Sequence, residues 1–417
     1  MYKIQDNIFY KIQKDKNIFN INKNNKLSLI SINDFYEYPS NVRSFALAQD
    51  INIEGNFPGH RTIPFSNSEL LDLIQEIINP FGEIIDRHIH SNGLCIHDDC
   101  HCYNGAFFLN TSHSRLPWIH NDHNFYTAII YLSPNAPEIS GTSIFKPICQ
   151  NEDMSHFSFD KTKCIEIDRL GNIFNRLIIF DASNYHYPNN YFGIDKEDGR
   201  LTQVIWFNIK PKHHDENSFI KDNNIHVYKD TIIKSSYPCR LDTTHNCDFI
   251  VIDNFYENPL NVREFALSQK FDTTGNFPGA RTKSLSINDI FKKIQGYIYQ
   301  YSSNNIYING YSAFQYTTSQ HQSWVHIDNN NEWAGIIYLT PDAPVTSGTT
   351  FYEFYDKYAS QDLMNKYSKD MTKWKEIDIV GNIFNRLILF NSKRYHMSRD
   401  YFGTDINNGR LFQVFFI

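Results

Sequence analysis

Trp118-Ile119-His120-Asn121-Asp122 and Trp324-Val325-His326-Ile327-Asp328 are two copies of one pattern, 206 positions apart from His120 to His326. A histidine and an aspartate two positions apart on an extended segment project to the same face, where both can bite one metal ion. Each copy runs on into an apolar stretch, ending Ile129-Ile130-Tyr131-Leu132 in the first and Ile336-Ile337-Tyr338-Leu339 in the second. Each then meets a second block. Asn175-Arg176-Leu177-Ile178-Ile179-Phe180 leads to Tyr185-His186, and Asn385-Arg386-Leu387-Ile388-Leu389-Phe390 leads to Tyr395-His396. Each closes on Gly-Arg-Leu, at Gly199-Arg200 and Gly409-Arg410, 14 positions after the second histidine in both copies. Two histidines and a carboxylate in this order are the ligand set of a non-haem iron site with open coordination positions. An arginine on the last strand suits an anionic co-substrate. The same set, twice in the same order, argues against coincidence.

The repeat extends well beyond these motifs. Ile32-Asn33-Asp34-Phe35-Tyr36-Glu37 matches Ile252-Asp253-Asn254-Phe255-Tyr256-Glu257, and Gly55-Asn56-Phe57-Pro58-Gly59 matches Gly275-Asn276-Phe277-Pro278-Gly279, both at an offset of 220. The offset falls to 206 at His-x-Asp and rises to 210 at the distal histidine, as expected for insertions in loops between fixed elements. A period this long means two domains, not a solenoid. The expected division is 1–228 and 229–417, inside a polar linker that carries His213-His214-Asp215-Glu216-Asn217.

Within each copy a short strand (29–32; 249–252) precedes a helix from Asn41 or Asn261, and a second helix covers 67–78 or 287–298. The Gly-Asn-Phe-Pro-Gly stretch reads as a turn. After it come short β-rich runs at 127–132, 142–145, 177–180 and 201–207. The expected fold class is mainly β with flanking helices: two double-stranded β-helix, or jelly-roll, domains in tandem.

At this point a resemblance becomes specific. It rests on His-x-Asp, the Tyr-Leu that follows, Gly141-Thr142 to Phe145 with Gly348-Thr349 to Phe351, Arg-Leu-Ile-x-Phe before the distal histidine, and Gly-Arg opening the last strand. Each half thereby resembles the 2-oxoglutarate- and Fe(II)-dependent dioxygenases of the prolyl-hydroxylase-like superfamily. The resemblance implies that His120, Asp122 and His186 hold one iron and that His326, Asp328 and His396 hold a second. It implies that Arg200 and Arg410, helped by Tyr131 and Tyr338, pair with the distal carboxylate of 2-oxoglutarate. Dioxygen would be the other co-substrate and ascorbate a reductant. A C–H bond of a protein or peptide side chain, or of a small molecule, would be hydroxylated. The inserts 191–198 and 401–408 lengthen the usual gap between distal histidine and arginine. The reading from another class is a tandem jelly-roll ligand-binding module with one or both sites non-catalytic.

Composition narrows the field. At 417 residues the chain has length for roughly two or three domains. The net charge of -7 is mild and spread out, and no basic block of the kind that tracks a phosphate backbone appears, so nucleic acid is not an expected partner. No run of about 18 apolar residues is present to span a membrane. All seven cysteines lie at or before Cys247, an odd count that suits a reducing, cytoplasmic setting better than a disulfide framework.

The remaining signals have plainer readings. Cys95-Ile96-His97-Asp98-Asp99-Cys100-His101-Cys102, with His88, His90 and His113 nearby, fits no strong zinc spacing and has no counterpart in the second half, so a polar loop is expected. Arg61 and Arg281, which follow Pro-Gly, could face the substrate mouth, but a turn with a surface salt bridge is the expected reading. Arg43 and Arg263 read as ordinary helix residues, and Arg176 and Arg386 as partners of a local carboxylate. Trp118 and Trp324 are expected to pack the barrel wall.

Overall fold

The computed structural model describes residues 18–65, 68–85, 105–122, 126–148, 161–211, 246–302, 310–328 and 331–417. The Cys95–Cys102 segment, the 213–217 segment and the expected division at 228/229 lie outside these residues.

In the first half the strands are β1 (Lys26–Asn33), β2 (Ile53–Gly55), β3 (Phe57–Arg61), β4 (Gly82–Ile85), β5 (Ala106–Asn110), β6 (Tyr126–Tyr131), β7 (Thr142–Pro147), β8 (Cys164–Leu170), β9 (Leu177–Asp181), β10 (Tyr185–Pro188) and β11 (Arg200–Pro211). In the second half they are β12 (Asn246–Asp253), β13 (Thr273–Gly275), β14 (Phe277–Arg281), β15 (Tyr311–Thr317), β16 (Trp333–Tyr338), β17 (Thr349–Phe354), β18 (Trp374–Val380), β19 (Leu387–Asn391), β20 (His396–Ser398) and β21 (Arg410–Phe416). They form two antiparallel sheets of jelly-roll-like character. The larger runs β13-β14-β15-β21-β16-β19-β12-β1-β9-β6-β11-β5-β3-β2, with β4 paired to β11. The smaller runs β10-β7-β8-β18-β17-β20.

Both sheets therefore cross from one half of the sequence into the other. In the larger, β1 pairs antiparallel with β12, and Ile30 lies opposite Ile250. In the smaller, β8 pairs antiparallel with β18, and Arg169 lies opposite Ile379. These partners are repeat equivalents, at offsets of 220 and 210. A local two-fold relation between the halves thus passes through both junctions.

The apolar runs follow from burial on both faces of the larger sheet. Along β9, Leu177 and Ile179 join a core cluster with Val42 and Ala46 of the helix Pro39–Leu47 and Leu70, Ile74, Ile77 and Ile78 of the helix Ser68–Ile78. Alternate residues Ile178 and Phe180 face the other way, into the layer between the sheets with Ile144 and Ile167. Helices Pro259–Leu267 and Asn288–Ile298 cover the second half in the same manner.

Several sequence expectations need correction. Gly55-Asn56-Phe57-Pro58-Gly59 holds the expected turn, at Asn56, but the rest is strand in the hairpin β2–β3, because β3 pairs with β5 (His60 opposite Leu109), and that pairing overrides the poor strand propensity of proline and glycine. The second copy does likewise as β13–β14 against β15. Arg43 and Arg263 are not ordinary helix residues. Arg43 donates to the carbonyls of Leu132 (2.8 Å) and Glu197 (2.5 Å), and Arg263 to those of Leu339 (2.8 Å) and Asn407 (2.5 Å). Each ties its helix to the insert that precedes Arg200 or Arg410.

Arg176 and Arg386 depart furthest from expectation. Arg176 is fully buried and donates to Asp378 (2.7 Å) and Asp248 (2.9 Å), both of the other half, and to Asn33 Oδ1 (2.8 Å). Arg386, equally buried, pairs with Asp168 of the first half (2.7 Å) and with Asp253 (2.6 Å). The same aspartates cap the opposite backbone: Gly171 N–H donates to Asp378 and Gly381 N–H to Asp168. A sequence window can show that an arginine opens a strand, but not that its partner lies some 200 residues away.

Gly141, which opens the Gly-Thr motif, has a packing reason for its identity. A Cβ there would lie 1.8 Å from the Leu170 carbonyl oxygen, and one on Gly348 would lie 1.9 Å from that of Val380. Because the obstacle is backbone, Gly141→Ala is expected to destabilise the protein by at least about 1–3 kcal/mol. The urea midpoint reads this directly. An unchanged midpoint would show that β7 and β8 do not approach so closely in solution.

Candidate metal centres

The ligand atoms of His120, Asp122 and His186 lie within 4.8 Å of one another, and so do those of His326, Asp328 and His396. Backbone pairing brings them together. His120 and His186 face each other across an antiparallel bridge, with N–H to O distances of 3.2 and 2.7 Å. His326 and His396 do the same at 3.0 and 2.9 Å. Asp122 N–H is held by the Ala182 carbonyl and Asp328 N–H by that of Ser392, both at 2.8 Å. The imidazole rings sit 4.3 Å and 4.4 Å apart, centre to centre.

The outer ring nitrogens set the direction of the inner ones. Nδ1 of His120 faces the Trp118 carbonyl (3.1 Å) and Nδ1 of His186 that of Asn184 (3.2 Å). In the second centre the carbonyls are those of Trp324 (3.0 Å) and Arg394 (2.9 Å). A carbonyl at Nδ1 fixes that nitrogen as the donor and leaves the Nε2 lone pair for a metal. Nε2 of His186 lies 3.5 Å from Asp122 Oδ2, and Nε2 of His396 lies 3.6 Å from Asp328 Oδ2. Burial pushes His186 down to about 4, and the neighbouring His120 adds to the effect. Burial and His326 push His396 well below its ordinary value. Neutral imidazoles are what a metal needs.

The two centres differ at the carboxylate. Asp122 Oδ2 accepts from Trp206 Nε1 (2.8 Å) and Thr127 Oγ1 (2.9 Å). Burial alone would raise this carboxyl, but His186, His120 and these two donors together hold it below its usual range. The repeat equivalents of Thr127 and Trp206 are Ala334 and Phe416, which cannot donate. Burial accordingly raises Asp328, against the pull of His326 and Arg281.

Arg200 and Arg410 open β11 and β21 and are both buried. The Nε of Arg200 donates to the Ser140 carbonyl (3.1 Å) and that of Arg410 to the Ser347 carbonyl (2.9 Å). Nη2 of Arg200 and both Nη atoms of Arg410 have no hydrogen-bond partner among the described residues. A buried guanidinium with unspent donors fits a carboxylate ligand, since such groups are costly to leave unpaired. Arg200 lies 5.5 Å from the Tyr131 ring centre and Arg410 5.3 Å from that of Tyr338. The two tyrosine hydroxyls meet Thr142 Oγ1 (2.8 Å) and Thr349 Oγ1 (2.9 Å).

A cavity of about 100 Å³ adjoins the second centre, walled by His326, Asp328, His396, Trp324, Tyr401 and Arg281 among others. Arg281 is therefore not at a surface salt bridge. It stacks on Phe277 (3.9 Å to the ring centre) and donates from Nε to Gln315 (2.7 Å). Its equivalent Arg61 is also buried, over Phe57 at 5.4 Å, and donates to the Thr62 carbonyl. Trp118 is buried in the wall as expected, whereas Trp324 also lines the cavity. Trp206 and Thr127 escaped the sequence reading. Strand alternation offered a signal: counting by twos from Arg200 through Thr202 and Val204 reaches Trp206 on the same face. For Arg281 the Pro-Gly context favours a turn over a place at the mouth of the site, which is where the cavity wall puts it. Among the described residues no helix is long and apolar enough to cross a membrane.

A scan against protein-family models finds no match, and neither does a search of curated proteins. Solved structures give distant likenesses. One is a prolyl hydroxylase from Trichoplax adhaerens in complex with a hypoxia inducible factor peptide fragment, at 13% identity over 41% of this chain and 83% of that one, with a TM-score of 0.27. Another is HygX from Streptomyces hygroscopicus with nickel and 2-oxoglutarate bound, at 14% identity over 42% and 82%, with a TM-score of 0.29. A third is the non-heme alpha ketoglutarate dependent carbocyclase SnoK, at 13% identity over 40% and 79%, with a TM-score of 0.28. These likenesses are slight, and the chemistry below rests on the geometry of the two centres.

Proposed function

We propose that the protein is an Fe(II)- and 2-oxoglutarate-dependent dioxygenase built from two jelly-roll units, 1–228 and 229–417. The observation that carries this reading is that each half supplies a convergent His-Asp-His group and a buried arginine with at least one terminal nitrogen unspent. His120, Asp122 and His186 would hold one ferrous ion and His326, Asp328 and His396 another. Arg200 and Arg410 would receive the far carboxylate of 2-oxoglutarate. Tyr131 and Tyr338, each fixed by a threonine hydroxyl, would flank it.

Iron and 2-oxoglutarate would supply oxidative chemistry in which one oxygen atom of O2 enters a substrate C–H bond as hydroxyl and the other enters succinate, with loss of carbon dioxide. The chain's own part is to orient the carboxylates, favour the neutral form of the buried His186 and His396, and exclude bulk water. The expected substrate is a protein or peptide side chain or a small molecule with an unactivated C–H bond.

Succinate release from 2-oxoglutarate under air, with Fe(II) and ascorbate, tests the reading. Wild type is expected to release succinate, and the His120→Ala, His326→Ala double variant none. Each single variant reports the share of its own centre. Wild type that neither releases succinate nor binds 2-oxoglutarate in the presence of metal would sink the proposal.

A further inference from the structure

Outside the ligands themselves, the two centres diverge at one shared place: the cross-strand pair behind the aspartate. In the first half that pair is Thr127 on β6 and Trp206 on β11, directly opposite each other. Both donate to Oδ2 of Asp122, at 2.9 and 2.8 Å. In the second half the opposed pair is Ala334 and Phe416. No hydrogen bond reaches the Asp328 side chain from the described residues, and the cavity it shares holds the guanidinium of Arg281, pinned by Gln315 and Phe277.

This difference acts on metal affinity. Two donors on one carboxylate oxygen fix the plane of the group and leave Oδ1 for a metal, so the ordering cost is met before the ion arrives. Partners of this kind are worth about 10–100-fold in metal affinity. We infer that the two centres are unequal. The first is the high-affinity metal site, with Trp206 and Thr127 as its positioning residues, and the second, with Ala334 and Phe416 in their places, is the low-affinity site. The inference rests on the proposed reading of the triads as metal centres. It implies that at limiting metal only the first centre is loaded.

The test is a Mn(II) titration of the metal-free, full-length protein, with free Mn(II) read by electron paramagnetic resonance. Wild type is expected to show two classes of site separated by at least about tenfold. The tighter class should vanish in His120→Ala and the weaker in His326→Ala. In the His326→Ala background, Trp206→Phe with Thr127→Val should weaken the remaining site by about tenfold or more. Thr127→Ser, which keeps the hydroxyl, should retain the affinity, a rescue that a purely structural role would not predict. Should the double replacement not fold, as judged by circular dichroism, Trp206→Phe alone makes the comparison. Equal affinities in wild type, or loss of the tighter class in His326→Ala, would overturn the inference and leave the dioxygenase reading intact. Absence of Mn(II) binding at either centre would overturn both.

Discussion

Arg386→Ala is expected to cost about 3–5 kcal/mol of folding free energy, among the largest losses any single side chain of this protein can produce. The reason is what stays behind. Arg386 and Asp168 are both 0% exposed, and Asp168 Oδ2 already lacks a hydrogen-bond partner. Without the guanidinium, Asp168 is left as a buried carboxylate with only the Gly381 N–H at 3.1 Å, and Asp253 loses both of its bonds to Arg386. The two aspartates come from different halves of the sequence, so the loss falls on the junction itself. Arg176→Ala should cost less, because Asp378 and Asp248 keep Arg394 as a second partner, at 3.1 and 2.8 Å. Guanidinium chloride denaturation checks both variants. A loss below about 1 kcal/mol, the range of an exposed pair, would mean that the buried network is hydrated in solution.

Arg200→Met is expected to weaken 2-oxoglutarate binding at the first centre by about 2–5 kcal/mol, since it truncates one partner of a buried charge pair. Arg200→Lys should recover little of this, because a single ammonium cannot reproduce the planar fork. Calorimetry under nitrogen, on Mn(II)-loaded protein carrying His326→Ala, isolates the first centre. Unaltered affinity in Arg200→Met would remove the arginine from the co-substrate site and point to a metalloenzyme that does not use 2-oxoglutarate.

The sequence was most legible where chemistry and strand period coincide. His120 with Asp122, and His326 with Asp328, lie two apart, and the distal histidines follow runs such as Leu177-Ile178-Ile179-Phe180 whose burial on both faces explains their unbroken hydrophobicity. It was least legible where the deciding contact is remote. Periodicity shows that β1 is buried but not that β12 lies beside it, and nothing near Arg176 announces Asp378. The hairpin 53–61 was misread because its glycines and proline are tolerated through pairing to β5, a tertiary effect that local propensity does not contain. Trp206 was within reach of simple alternation, yet its role depends on Thr127 facing it from another strand.

The self-matched junctions, Ile30 against Ile250 and Arg169 against Ile379, have the geometry of an isologous dimer interface, in which one patch meets its own copy. In a true homodimer every substitution is made twice, at symmetry-related places, and the two subunits must remain alike. A single chain lifts that constraint: Thr127 and Trp206 can stand in one lobe while Ala334 and Phe416 stand in the other, and Asp248 can face Arg176 where its repeat equivalent Ser28 faces Arg386. Covalent union thus preserves the architecture of a symmetric pair while letting its two pockets diverge independently.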